Sequence, residues 1–264
     1  MSGNFSKPTR AEPVINEKKP LNRWVKTAAY SFLVLGSFAV AQVVLVAILS
    51  LMRLINADLV GNLQQPAYQT LLSVIIYALT IGITIAVPWL VRKTGVTLEE
   101  LGLTRLPSWK DILLAPAGFV LYALLAAIFA YLAVIVWPGF NGTQAQDVGF
   151  DNLSGRYQYL FAFLTLVVIA PIAEEVLLRG YLYGKLRKLI PFAAAAVITS
   201  VIFGIMHLQW NVGINVFALS LIMCGLREVT GSIWAGILLH MMKNGIAFYV
   251  LFVNPSIFNM AGIL

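Results

Sequence analysis

Glu174 and Glu175 directly follow the apolar stretch 160–173 and are the only acidic residues set so deep in apolar sequence. Moving a charge to the centre of a bilayer costs about 2.5 to 3.5 kcal/mol on insertion scales, so such acids persist only where something compensates. The chain has two histidines, His207 and His240, and both lie inside apolar runs rather than in polar loops. Glu175 and Arg179 stand four apart, on one helix face and within ion-pairing reach. Glu174 points about 100° away from them and is left without that partner. Phe203 and His207 are likewise four apart, as are His240 and Asn244, so each pair shares a face and can present to one cavity. One braced carboxylate, one available carboxylate and two imidazoles are equipped for general acid–base chemistry.

The elements that carry these residues have to live in lipid. Of the 264 residues 60% are hydrophobic and only 11% charged, and the mean hydropathy is +0.86. A soluble fold would need a more polar exterior than this chain can supply. The run 28–52 carries no charge and is long enough to cross about 30 Å of hydrocarbon as a helix. It continues well past the small-residue triplet Ala39-Val40-Ala41, which favours a span over a cleaved signal peptide. Further apolar runs at 71–91, 112–137, 157–173, 192–208, 212–226 and 232–253 bring the expectation to seven spans, with an eighth left open at the C-terminus. The fold class expected is all-α, a polytopic transmembrane helix bundle, because lipid-exposed backbone must bond within its own helix.

Charge sets the expected orientation. Six of the 18 Lys and Arg fall in the first 26 residues. The loops 92–110 and 179–188 carry four basic residues each, whereas 138–157 carries Arg156 against two Asp. This asymmetry puts the amino terminus in the cytoplasm of a multi-pass protein of the cell membrane, and assigns the net charge of +7 to anionic lipid rather than nucleic acid. Residues 1–27, broken by Pro8, Pro13 and Pro20, read as a disordered basic cytoplasmic tail, and residues 28–264 as a single transmembrane domain. Cys224 is the only cysteine, which excludes an internal disulfide and a cysteine-held metal.

Depth can be tested against sequence if Pro191 marks the turn between two antiparallel helices. Glu175 and His207 each lie 16 residues from it, about 24 Å at 1.5 Å per residue, and so sit at one level. This requires the fourth helix to run on from Ala173 through Lys188, past the point where hydropathy alone would end it. Gly82, Gly118, Gly204, Gly225 and Gly236 are expected to admit close helix packing, and Trp89, Trp109, Trp137 and Trp210 to anchor run ends at the interface.

The segments E-E-V-L-L-R (174–179), F-G-I-M-H (203–207) and H-M-M-K-N (240–244) stand in that order on separate apolar runs. They resemble the CAAX protease and bacteriocin-processing enzyme family of intramembrane peptidases, whose pattern is E-E-x-x-x-R, F-x-x-x-H and H-x-x-x-N or D. The resemblance covers about 157–250 and implies an endopeptidase acting on a peptide or membrane-associated protein. It implies that Glu174 and His207 activate a water and that His240 and Asn244 stabilise the oxyanion. Glu175 and Arg179 support the site as an ion pair, and Phe203 reads as packing. Glu174, His207 and His240 can also supply the three ligands of a catalytic zinc ion. No H-E-x-x-H is present, however, and a Glu that holds metal cannot serve as a free base, so zinc stays an open cofactor. A non-catalytic scaffold or immunity protein with the same fold is the alternative, and a proton-coupled transporter a third; the available acid speaks against the first and the lack of paired broken helices in two halves against the second. Neither prenylation of the substrate nor the oligomeric state is indicated.

Overall fold

A computed structural model describes residues 21–56, 63, 65–93, 95–142, 144, 148–150 and 153–256. The tail 1–20 and the C-terminal stretch 257–264, where an eighth span is in question, lie outside the described residues. All regular structure among the described residues is helical. Helix α1 (Arg23–Ile55) starts upstream of the uncharged run, because Asn22 accepts the Trp24 N–H at 3.0 Å and caps it. Arg23 and Lys26 are therefore helical, which corrects the tail boundary set at residue 27. Helix α2 (Pro66–Arg92) opens on a proline, and the four-residue α3 (Leu98–Leu101) follows it. Helix α4 (Trp109–Val136) is started by a reciprocal cap between Ser108 and Asp111, with Asp111 also ion-paired to Arg105. The remaining helices are α5 (Arg156–Arg187), α6 (Phe192–Met206), α7 (Trp210–Thr230) and α8 (Trp234–Val253).

Six of these are long and apolar enough to cross a membrane, so the chain is an integral, multi-pass membrane protein. Helix α6 departs from the expected span 192–208. Its 15 residues cover about 22 Å. It stops because His207 caps it and Leu208 turns the chain with φ of 55°. Pro191 is the residue before its first turn, as the depth argument requires. Arg179 and Phe203, each twelve residues from Pro191, meet with the guanidinium 4.6 Å from the ring centre.

Helix α5 runs through both acids to Arg187, and its interior is irregular. Leu164–Ile169 and Val176–Leu182 are π-helical, on either side of a short α turn, Ala170–Glu175. Pro171 supplies a reason for the first: it offers no N–H, and its ring crowds the carbonyl four residues back. Wide turns of this kind concentrate at functional sites.

The bundle has an inner and an outer part. In their most apolar stretches α2 and α4 are 11% and 6% buried, against 33% for α5 and 44% for α7, so α5 and α7 are the most buried spans and α2 and α4 the most exposed. Glycine settles two close contacts. Gly204 of α6 and Gly213 of α7 touch backbone to backbone, a Cβ on either meeting the other's carbonyl at 3.0 to 3.1 Å. Gly118 likewise packs under Leu226. The same expectation fails at Gly82 and Gly225, which have nothing within 4 Å. Trp89, Trp109, Trp137 and Trp210 are exposed near helix ends, with Trp137 and Trp210 in edge contact at 5.4 Å.

The two basic loops meet at one end of the bundle. Glu100 of α3 pairs with Lys188 at 2.7 Å and Lys185 at 3.0 Å, both from the end of α5. The Lys188 hydrogen bond is the main cause of a Glu100 carboxyl held down at about 2, and it outweighs the opposing effect of burial.

Candidate active site

The adjacent acids of α5 face two different environments. Glu175 and Arg179 are fully buried and joined at 2.8 Å, with the guanidinium laid over Phe203. Gly236 of α8 makes room for this pair, since a Cβ there would stand 2.9 Å from Glu175 Oε2. Glu174 instead lines a cavity of about 520 Å³ between α1, α2, α5, α6 and α8, together with His207, His240 and Asn244. The structure thus brings all four proposed catalytic residues to one space.

Tyr77 of α2, which the motifs do not reveal, donates its hydroxyl to Glu174 Oε1 at 2.7 Å. The available acid therefore has a neutral partner and, among the described residues, no ion pair to Arg or Lys. His207 Nδ1 lies 2.8 Å from the Phe203 carbonyl. A carbonyl can only accept, so Nδ1 carries the proton and Nε2 keeps a lone pair for chemistry. His240 sits between the two acids, its Nδ1 3.3 Å from Glu175 Oε1 and its Nε2 3.7 Å from Glu174 Oε2. Phe203, 1% exposed, holds both imidazoles edge-on with ring centres at 4.8 and 5.8 Å, the packing role expected of it.

Asn244 donates Nδ2–H to the Leu166 carbonyl at 2.8 Å. Leu166 is five residues before Pro171, the partner spacing of a π turn, and Pro171 has no N–H to give. Asn244 thus repairs the break in α5 and ties it to α8, while one of its amide hydrogens stays unused by that bond.

Among the described residues no three His, Cys, Asp or Glu side chains are grouped to hold a metal ion. Glu174, His207 and His240 are therefore not drawn together as a three-ligand cluster.

Residues 156–246 match the Rce1-like family of type II CAAX prenyl endopeptidases. The resemblance seen in the three motifs is borne out over this segment, which holds every motif residue and leaves Tyr77 outside. A curated relative, named "Putative membrane peptidase YdiL" of Bacillus subtilis (strain 168), is 34% identical over 77 residues, 29% of this chain. The alignment spans 32% of that relative's length. No solved structure matches the chain significantly.

Proposed function

We propose that this protein is an intramembrane endopeptidase that hydrolyses a peptide or membrane-associated protein with a water activated by Glu174 and His207. One observation carries this above all: two acids adjacent in sequence, one sealed in an ion pair and the other facing a cavity with two imidazoles. The Tyr77 hydroxyl fixes one Glu174 oxygen and leaves the other to take a proton from water, while His207 Nε2 accepts from the same water. Attack on the scissile carbonyl forms the C–O bond, and the proton returns to the departing amine as the C–N bond breaks. His240 and Asn244 line the same cavity from α8, where they would meet the oxyanion.

The match to an endopeptidase family over 156–246 supports the assignment. Purified full-length protein incubated with a pool of random peptides in heavy-oxygen water should yield new carboxyl termini carrying the heavy isotope. A pool left intact by protein of normal thermal stability would return the scaffold as the better account. EDTA should leave the rate unchanged; a loss restored by zinc would instead make Glu174, His207 and His240 metal ligands. The same reading puts the basic end of the bundle in the cytoplasm, so a Ser6→Cys variant should resist impermeant thiol reagents added outside intact cells.

A further inference from the structure

The motif residues offered to an oxyanion are largely committed elsewhere. Asn244 spends one amide hydrogen on Leu166, and His240 has a carboxylate facing each ring nitrogen. Between them in sequence stands Lys243, the only charged residue in the run 232–253. It lines the same cavity as Glu174 and His207. Among the described residues its ammonium makes no hydrogen bond and no ion pair. A lysine kept only for solubility would extend to the interface and leave its charge in water. This one is part-buried in the wall of the cavity that Glu174 and His207 also line, and in contact with neither carboxylate. The shared cavity of about 520 Å³ has room for a reacting carbonyl, as a productive site requires.

We propose that the Lys243 ammonium is the principal group that meets the oxyanion of the tetrahedral intermediate, an assignment that rests on the peptidase reading above. As the water oxygen bonds to the carbonyl carbon, Glu174 takes the water's proton and the carbonyl π pair moves onto oxygen. Lys243 holds that anion with the remaining N–H of Asn244. The pair returns to carbon as the C–N bond breaks, and the Glu174 proton goes to the amine. Water is consumed and an acid and an amine are formed, with Lys243 unchanged. A preorganised cation contributes to the rate here to the extent that it meets more charge at the carbonyl oxygen in the transition state than in the ground state.

The test uses full-length protein and the best-cleaved member of the random peptide pool. Lys243→Met should lower kcat by about 100-fold with KM within about threefold, and Lys243→Arg should keep most of the activity. A phosphinate analogue of the same peptide, anionic at the scissile position, should bind wild type more tightly than its uncharged ketone isostere. That preference should vanish in Lys243→Met. Should the methionine variant not fold, Lys243→Gln carries the same comparison. A kcat within about threefold of wild type, or an undiminished phosphinate preference in a slowed variant, overturns the role of Lys243 and leaves the peptidase standing. If wild type cleaves no peptide, the peptidase reading falls first and this one with it.

Discussion

Glu174 and Glu175 share a backbone bond and one neighbour, His240, and little else. Around Glu175 every contact closes the space: Arg179 in the same helix, Phe203 against the guanidinium, the bare backbone of Gly236 against the carboxylate. Around Glu174 the contacts hold the acid and leave it open, with one oxygen held by Tyr77 and the side chain 14% exposed to the cavity. One residue of helical rotation separates a sealed charge from one that opens onto the cavity. A charge can be tolerated in the membrane either by being neutralised or by being given something to do, and this helix does both in consecutive positions.

The comparison breaks most visibly if the two acids are exchanged for amides one at a time. Glu174→Gln should cost about 1,000-fold in hydrolysis, the scale of a lost general base, while the thermal midpoint stays near that of wild type. Glu175→Gln should do the reverse, stranding the Arg179 charge and lowering stability by about 3 to 5 kcal/mol, read as folded yield and detergent melting temperature. Two variants that lose yield and activity in parallel would erase the distinction.

Gly236→Ala sharpens the sealed side. The added methyl meets Glu175 Oε2 inside contact distance and should destabilise by about 1 to 3 kcal/mol, the cost of overpacking. Combined with Glu175→Gln the loss should be less than the sum, since both act on one contact. Tyr77→Phe is the smallest change and belongs to the open side. Removing one hydrogen bond to a carboxylate should slow hydrolysis by about tenfold and leave melting unchanged. A melting shift without a rate change would make Tyr77 a structural residue.

Much of this was legible before any coordinates. The four-residue spacings gave the Glu175–Arg179 pair, and Pro191 gave the depth at which α5 and α6 meet, because a helix is a ruler with a fixed rise. What the sequence could not announce came from contacts between distant segments. Tyr77 sits in a span with no motif, and nothing in its neighbourhood marks it as the partner of Glu174. The first π segment of α5 follows from Pro171, which is visible, but its use depends on Asn244 reaching Leu166 across 78 residues. Lys243 was in plain view inside the third motif, and its signal was the one that marked Glu174: a charge in an apolar run with no partner at helical spacing.

The short helix α6 has a consequence for the lipid. It covers about 22 Å of a hydrocarbon layer about 30 Å thick, so about 8 Å beside it must be met by a thinned bilayer or by water. Its far end is His207, a wall of the cavity. The mismatch therefore falls where a hydrolytic reaction would otherwise lack its second reactant, and acyl-chain length becomes a variable that acts on the supply of water to the site.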